Sequence, residues 1–444
     1  MRNVFLVFIL LFTFFDGYEL AAQNFVPGTD WKDTEGNLIE AHGGGIMKFK
    51  DTYYWYGEDK RKGNFNKTGV SGYKSKGLVN WSNIGVVLKA EVMPDLFKVP
   101  TQGDAVLERP KVIYNRKTKK FVMWMHLDAN TYTVAQAGVA IADKPEGPFK
   151  FVNSFRPISF KYDYKNTRGD QYNSKEEKLG NTYRDMNLYV DDDEKGYVFY
   201  SSEDNLTMYV SRLNSSYTDI EKPIVKDKTW SRILINGSRE APAPFKFNKK
   251  YYLITSGLTG WSPNAAQYAV ADSILGPYTV KGNPAIGKGA NVTFGSQSTF
   301  VLKAPNSSPN TFIFLADRWN GTELEKSRYV WLPFTVKNER IQLLNLPSWN
   351  MKVFDTTALA SFKAASFNIS YDKNQHSLHW NKVNGAHLYF IVRNGEFIGD
   401  TDSTYFKLPN TISGRSYEYR VIAMNIFQLQ LSSQNSLVIS SPSV

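Results

Sequence analysis

The chain has 444 residues, of which 42% are hydrophobic and 21% are charged. That length allows about two or three domains, and that apolar content excludes wholesale disorder. Aromatic residues make up 15% of the chain, which favours β-structure, and the absence of Cys excludes a disulfide scaffold and a Cys-ligated metal site. The net charge of +11 is not gathered into a long basic run or a basic motif interleaved with aromatics, so we expect no nucleic-acid partner.

The N-terminal segment is typical of an export signal. A short positive region, Met1–Asn3, precedes the apolar run Val4–Phe15, which is too short to span a bilayer as a helix. Small residues before Gln23 suit cleavage, so residues 1–22 are predicted to be a signal peptide. No Cys follows the cleavage position and no later stretch resembles a transmembrane helix. We therefore expect an exported protein without a membrane anchor, located in the periplasm or outside the cell.

One pattern recurs between Gln23 and about residue 350, where helical periodicity is scarce. An apolar strand is followed by a polar turn and an aromatic strand. The five copies of this hairpin are Ile46–Gly57, Val112–His126, Leu188–Ser202, Phe245–Gly257 and Phe300–Trp319. The repeat predicts an all-β chain with a five-bladed β-propeller over residues 23–355.

A polar residue precedes each hairpin at a similar distance. These residues are His42, Glu108, Asp185, Glu240 and Gln297. Because the inner strands of propeller blades face one channel, we expect these side chains to meet in a single pocket. Carboxyl groups in an aromatic pocket suit glycoside hydrolysis, in which one acid protonates the leaving oxygen and a second group activates water. The aromatic candidates for stacking on a sugar are Trp55, Tyr56, Trp124, Tyr132, Tyr183, Trp261 and Trp319.

Nine short segments, taken together and in their order along the chain, resemble those of a known family. They are AHGGGIMKF, YYWYGED, VLERPKVIYN, RDMNLYVDDD, SSEDN, SREAPAPFK, TSGLTGW, FGSQSTF and RYVWLP, and they cover residues 25–350. The chain is similar to glycoside hydrolase family 43, and most closely to its exo-β-1,3-galactanase subfamily, subfamily 24. The resemblance implies a five-bladed propeller and an inverting exo-enzyme. It also implies a polysaccharide substrate, the β-1,3-galactan backbone of arabinogalactans, from whose non-reducing end galactose or substituted galactose is released.

The resemblance also implies roles for individual residues. Glu240 resembles the general acid, and Asp185 resembles the carboxylate that orients this acid and sets its pKa. Glu108 matches a catalytic-pocket Glu, and Gln297 matches the Gln found where a water-activating group is expected. The residues that resemble substrate-binding positions are Glu58, Tyr132, Asn205, Thr259, Trp261 and His42.

The chain departs from the wider family where an Asp usually acts as general base, because His42 and three glycines occupy this position. Two candidates for the base remain, Gln297 as an imidic tautomer or water-positioning group, and Glu108. The glycines are expected to leave room for a terminal sugar. No His pair has ligand spacing, so we expect no metal and no cofactor. Relatives can hold an axial calcium, but nothing in this sequence specifies one.

The sequence pattern changes after residue 355, and residues 363–444 have the alternating pattern that predicts short strands. Trp380 and the pattern Leu408…Tyr417-x-Tyr419 resemble a fibronectin type III module, so we expect a small β-sandwich that acts as a spacer or packing module. Two other functions remain open. One is a different family-43 specificity, such as arabinofuranosidase or xylosidase, and the other is a glycan-binding propeller without catalysis.

Overall fold

The structure is a computed structural model that describes residues 24–63, 68–92, 105–162, 178–355, 368–409, 415–428, 430–432 and 436–440. The predicted signal peptide, residues 1–22, lies outside the described residues. The described residues are nearly all β, in agreement with the predicted class: apart from a helical pair at 178–179, their regular structure consists of strands and short 3₁₀ helices. The 3₁₀ helices are Ala90–Val92, Ala290–Gly295, Leu324–Lys326 and Met351–Phe354. None of the helices in the described ranges is long and apolar enough to cross a membrane.

Between His42 and Ile341, the described residues form five four-stranded antiparallel sheets in chain order. The first contains β1 (His42–Phe49), β2 (Thr52–Glu58), β3 (Gly69–Ser75) and β4 (Ser82–Lys89). The second contains β5 (Ala105–Asn115), β6 (Lys120–Ala129), β7 (Gln136–Ala142) and β8 (Lys150–Phe155). The third contains β9 (Met186–Val190), β10 (Gly196–Ser202), β11 (Thr207–Arg212) and β12 (Trp230–Ile233). The fourth contains β13 (Glu240–Phe247), β14 (Lys250–Ser256), β15 (Gln267–Ala271) and β16 (Thr279–Gly282). The fifth contains β18 (Gln297–Lys303), β19 (Thr311–Arg318), β20 (Arg328–Lys337) and β21 (Arg340–Ile341), while β17 (Ala285–Ile286) pairs in parallel with β22 (Leu343–Leu344).

The five predicted hairpins are confirmed as the first two strands of the five sheets. Their turns use residues in the left-handed region, such as Lys50 (φ 53°), Lys119 (φ 57°) and Asn248 (φ 50°). This conformation matches the right-handed twist of the flanking strands and reverses the chain within a few residues. The polar turns recognised in the sequence therefore act as the local folding signals.

The first strands of the five sheets lie side by side in a closed ring. β5 contacts β1 and β9, and β13 contacts β9 and β18. β18 also contacts β1, which closes the ring. A hydrophobic cluster lies between each pair of neighbouring sheets, and it is rich in aromatic side chains such as Trp55, Trp124 and Phe245. The aromatic content of the chain is thus used mainly to pack one sheet on the next.

The inner strands share an irregularity at the end of the ring where the predicted site residues lie. The strand pairing shifts by one residue just after His42, Glu108 and Glu240, and just after Ser298. In three sheets, the residue that follows the predicted site residue has a positive φ: Gly43 (56°), Arg109 (56°) and Ala241 (53°). A β-bulge of this kind re-aims side chains at the rim of a sheet.

The C-terminal strands form two further sheets. One contains β23 (Ile369–Asp372), β24 (Ser377–Trp380) and β27 (Tyr405–Lys407). The other contains β25 (Leu388–Arg393), β26 (Glu396–Thr401), β28 (Ser416–Met424), β29 (Gln430–Ser432) and β30 (Leu437–Ser440). The two sheets share one buried cluster that includes Trp380 and Tyr419.

The C-terminal part is packed directly on the ring. Ile426 is fully buried in the cluster that joins the first and fifth sheets, together with Leu388 and Met424. The Thr335 hydroxyl donates a hydrogen bond to the Ile426 carbonyl, and Gln428 Nε2 donates to the Thr335 carbonyl at 3.0 Å. The C-terminal strands therefore cover the seam at which the ring closes.

Candidate active site

A cavity of about 210 Å³ opens where the bulged ends of the inner strands converge. Its size is below the range typical of drug-sized ligands, so it suits one small unit. The lining residues come from all parts of the ring: Glu58, Glu108, Arg109, His126, Tyr132, Arg184, Asp185, Asn205, Glu240, Gly260, Trp261, Gln297 and Trp319. Four of the five polar residues expected upstream of the hairpins lie together in this cavity, and His42 is the exception.

Glu240 is the first residue of β13, and its partly buried carboxyl faces the cavity. Desolvation by burial and then the negative charge of Asp185 raise the pKa of Glu240 to about 8. Oε1 of Glu240 accepts a hydrogen bond from Gln297 Nε2 at 2.8 Å. Glu240 is therefore a carboxylic acid at neutral pH and can donate a proton.

Asp185 lies directly before β9 and is held in place from two sides. Its Oδ2 is 2.9 Å from Arg109 Nη2 and accepts a hydrogen bond from the Ala241 backbone N–H at 3.1 Å. Ala241 follows Glu240, so the bulge in β13 connects the two carboxyl groups through the main chain. This contact fixes the distance over which the charge of Asp185 acts on Glu240.

Gln297 uses every hydrogen-bonding position of its amide. Nε2 donates to Glu240 Oε1 at 2.8 Å and to the Ser256 hydroxyl at 2.9 Å. Oε1 accepts from Trp319 Nε1 at 2.9 Å and from Arg109 Nη2. Because Trp and Arg side chains can only donate, the amide oxygen must face them. Both lone pairs of that oxygen are then occupied by protein donors.

Glu108 is buried and bound at both oxygens. Oε1 accepts from the Tyr132 hydroxyl at 2.7 Å, and Oε2 lies 3.2 Å from His126 Nδ1. Burial alone would raise the pKa of Glu108, but the interactions with His126, Lys60 and Tyr132 outweigh it and lower the pKa to about 2. Glu108 is thus ionised at neutral pH, and it lies in the wall of the same cavity as the protonated Glu240.

Glu58 and Asn205 provide two further polar groups. Glu58 ends β2, pairs with Lys60 at 2.8 Å and accepts from the Arg109 backbone N–H at 2.9 Å. Its burial raises the pKa of Glu58. The side-chain oxygen of Asn205 is buried without a hydrogen-bond partner, although the residue lines the cavity. An unpaired buried amide oxygen is costly, and a ligand hydroxyl would satisfy it.

Three of the predicted aromatic residues line the cavity, namely Tyr132, Trp261 and Trp319. The rings of Trp261 and Trp319 pack edge to face, with centroids 5.0 Å apart. The prediction is wrong for the other four, which are buried within the packed sheets and cannot contact a ligand: Trp55, Tyr56, Trp124 and Tyr183. Thr259 is exposed and lies beside the cavity, which is lined instead by its neighbours Gly260 and Trp261.

His42 does not line the cavity. Its side chain is 1% exposed and stacks on Tyr329, with the two nitrogens 3.5 Å from Glu40 and 3.8 Å from Asp317. The expected space for a sugar at the glycines is also absent. A Cβ on Gly43 would lie 2.0 Å from Glu58 Oε1, so protein atoms occupy the space that this glycine frees.

One cluster in the described ranges has the composition of a metal site. Ligand atoms of Glu108, His126 and Asp185 lie within 4.8 Å of one another. Each carboxylate already faces a protein cation, since Glu108 is bound to His126 and Asp185 to Arg109. His126 is protonated between two carboxylates and its pKa is raised to about 9, so it has no lone pair for a metal. We therefore assign no metal to this cluster.

The model of the glycosyl hydrolases family 43 matches residues 42–322, more than half of the chain. The chain belongs to glycosyl hydrolase family 43. The match includes the first strands of all five sheets and every residue that lines the cavity. A curated Kelch domain-containing protein from Sulfurisphaera tokodaii is 31% identical over 108 residues. This stretch is 24% of the chain but only 15% of that relative, so the similarity is local.

Several solved structures of family-43 proteins are similar over most of the chain. A β-1,3-galactosidase bound to galactodeoxynojirimycin is 37% identical, with a TM-score of 0.65 over 73% of this chain and 100% of that one. An exo-β-1,3-galactanase from Clostridium thermocellum is 30% identical, with a TM-score of 0.65 over 90% of this chain and 83% of that one. An exo-β-1,3-galactanase from Phanerochaete chrysosporium with β-1,3-galactotriose is 27% identical, with a TM-score of 0.62 over 94% of each chain.

Four cavity residues were not singled out as site residues from the sequence: Arg109, His126, Arg184 and Gly260. Arg109 directly follows Glu108, but only the bulge turns its side chain toward Asp185 and Gln297. Arg184 directly precedes Asp185 and donates to the Tyr132 carbonyl at 2.8 Å. Adjacency to a predicted site residue was the available signal for both arginines.

Proposed function

We propose that this family-43 hydrolase is an exo-β-1,3-galactanase that cleaves the β-1,3-galactan backbone of arabinogalactans with inversion. The observation that carries the proposal is the cavity in which the protonated Glu240 and the ionised Glu108 lie among Trp261 and Trp319. The similar structures that bind galactodeoxynojirimycin and β-1,3-galactotriose support this substrate class.

Glu240 donates its proton to the glycosidic oxygen as the bond from that oxygen to the anomeric carbon breaks. Asp185 keeps the proton on Glu240 until that step, and Gln297 orients the carboxyl through its 2.8 Å hydrogen bond. A water molecule adds to the anomeric carbon from the opposite face and loses one proton. The products are a free sugar and a shortened chain, and exchange with solvent restores the proton on Glu240.

We assign Glu108 as the group that holds this water and receives its proton. Gln297 is the weaker candidate, because its amide oxygen already accepts from Arg109 and Trp319. A pKa of about 2 makes Glu108 a weak base. A weak base suffices here, because water becomes strongly acidic once its oxygen bonds to an oxocarbenium-like carbon.

Inversion is what the resemblance to family-43 exo-β-1,3-galactanases implies, and in this assignment Glu108 receives a proton from water and forms no bond to the anomeric carbon. One feature of the cavity favours exo-action. The small cavity volume of about 210 Å³ admits a terminal unit. We propose release of galactose, or of galactose that carries a side chain, from the non-reducing end, which the similarity to exo-β-1,3-galactanases supports.

We propose the following organisation for the whole chain. Residues 1–22 act as a signal peptide, and the protein is exported to the periplasm or the medium. Residues 23–355 form a five-bladed β-propeller of subfamily 24, which the closed ring of first strands supports. Residues 363–444 form a fibronectin type III-like sandwich, which the shared core of the two C-terminal sheets supports.

Proton NMR of the reaction with β-1,3-galactobiose and with de-branched β-1,3-galactan tests the function. The α-anomer of galactose is expected first, and Glu240→Gln is expected to abolish its release. Initial β-galactose would overturn inversion. Cleavage of arabinosides or xylosides instead of galactan would overturn the substrate, and galactan binding without turnover in the wild type would overturn catalysis.

A further inference from the structure

A row of buried polar groups extends from Glu108 through His126 to Asp128. Nδ1 of His126 lies 3.2 Å from Oε2 of Glu108, and Nε2 lies 3.0 Å from Oδ2 of Asp128. His126 and Asp128 are 1% and 0% exposed, so water does not compete for these contacts. An imidazole with a carboxylate on each nitrogen donates from both nitrogens and is positively charged.

The far end of the row is fixed by the main chain. Oδ1 of Asp128 accepts from the backbone N–H groups of Ala129 at 2.9 Å and Val134 at 2.7 Å. Asp128 and His126 both belong to β6, in which residues two apart point to the same side. The ring of His126 is thereby locked in one orientation, with Nδ1 aimed at Glu108.

We propose that His126 and Asp128 are positioning residues that hold Glu108 in one place and in its ionised form. The proposal rests on the function proposed above, because it assigns a task to the carboxylate that holds the water. Asp128 binds the imidazolium, and the imidazolium holds one oxygen of Glu108 while Tyr132 holds the other. Both oxygens retain a lone pair that can point into the cavity.

The charges that face Glu108 come from several sheets. Positive charge is contributed by His126 and Lys60, negative charge by Asp185 and Glu58, and a hydroxyl donor by Tyr132. Glu240 adds negative charge only above its raised pKa of about 8. Without His126, the burial of Glu108 and the negative charge of Asp185 and Glu58 would favour the protonated form of Glu108. A protonated Glu108 could not receive a proton from water.

His42 provides a matched control. It is equally buried, also lies between two carboxylates, Glu40 and Asp317, and its pKa is likewise raised to about 9. It does not line the cavity and does not contact Glu108. A His42 variant therefore shows the effect of losing a buried imidazolium that does not contact Glu108. A His126 variant shows the effect of losing the imidazolium that does.

The first test is the acid limb of kcat/KM against pH. In His126→Gln the pKa of Glu108 is expected to rise, so kcat/KM relative to the wild type should be about ten-fold lower at about pH 5 than at about pH 7. His42→Gln should leave the ratio between the two pH values as in the wild type, whatever it does to stability. An unchanged ratio in His126→Gln would overturn the proposal.

The second test needs no substrate and does not depend on the folding of His126→Gln. NMR titration of the imidazole protons should place His126 well above an ordinary His, near pH 9 in the wild type, and Asp128→Asn should lower this midpoint by more than about one unit. A wild-type midpoint at or below about 6.5 would overturn the proposal. If galactan is not cleaved while His126 titrates as expected, the proposed function is wrong, whereas the ionised state of His126 between Glu108 and Asp128 is still supported.

Discussion

Gln297 binds Glu240 with one end of its amide and binds Arg109 and Trp319 with the other. The amide therefore acts as a rigid link between the proton donor and the guanidinium that holds Asp185. This arrangement suits a residue with almost no basicity to the task proposed for it, which is to orient the acid.

Replacement of Gln297 by Ala tests this task. The hydrogen bond from Gln297 lowers the pKa of Glu240, so the basic limb of kcat/KM should move to higher pH in the variant. The value of kcat should fall by about 10²–10³-fold, because the acid is no longer oriented. Azide, which replaces water as nucleophile, should rescue Glu108→Ala but not Gln297→Ala. Rescue of Gln297→Ala alone would identify Gln297 as the base.

Replacement of Asp185 by Asn should move the basic limb in the opposite direction. The negative charge of Asp185 raises the pKa of Glu240, after burial. Without this charge Glu240 ionises at lower pH, and the activity that requires its protonated form is lost earlier as the pH rises. A pH profile of kcat/KM measures this shift, and an unmoved basic limb would contradict the assigned role of Asp185.

The raised pKa of Glu240 also predicts a cost in stability. Its folded-state pKa is about 8, above the ordinary value of 4.5, so the folded state loses stability progressively as the pH rises from about 4.5 to about 8. Glu240→Gln has no such ionisation. Its unfolding midpoint should exceed that of the wild type by a few degrees at about pH 9, whereas the two should differ little at about pH 5. Thermal unfolding of both proteins at both pH values measures this difference in midpoint, and an equal difference at the two pH values would contradict the prediction.

The two cavity tryptophans are expected to affect different kinetic constants. Trp261→Ala removes a stacking face and should raise KM about ten-fold with little change in kcat. Trp319→Phe keeps a ring against Trp261 but removes the N–H that donates to Gln297 at 2.9 Å. It should therefore lower kcat by about ten-fold and leave KM nearly unchanged. Identical effects of the two variants would argue against separate roles.

The C-terminal strands should unfold together with the ring. Ile426 is fully buried in the cluster between the first and fifth sheets, so Ile426→Ala should cost about 2–5 kcal/mol of unfolding free energy. Val438→Ala is the matched control, since Val438 is 64% exposed in the same part of the chain. Calorimetry should show one transition in both variants, at lower temperature in Ile426→Ala. Two separate transitions would contradict a common folding unit.

The hairpins could be predicted from the sequence because each is encoded locally, by apolar runs around a polar turn. The partner of Glu108 could not be predicted in this way. The pairs next to the turn are Asn115 with Lys120 and Lys111 with Trp124, and extending this register places Glu108 opposite Leu127. The bulge shifts the pairing by one residue and brings His126 opposite Glu108. A bulge depends on packing around the axis, which a local pattern does not report.

The prediction that the His42 side chain lies in the pocket was wrong for a related reason. Its place in the repeat suggested a side chain in the pocket, like that of Glu108 or Glu240. In the structure Asp317 binds both the Gly43 backbone N–H and, more weakly, the His42 ring, which turns the imidazole into the seam between β1 and β19. The repeat identified an equivalent backbone position correctly, whereas the direction of the side chain depends on a contact 275 residues away in the sequence.

The bulges in the inner strands restrict how the chain can vary in length. Since side chains alternate between the two faces of a strand, deleting one residue near Glu108 or Glu240 would reverse the facing of every residue up to the next turn. We therefore expect insertions and deletions to fall in the loops and outer strands. Homologous chains should differ in length there, while the inner strands accept only substitutions.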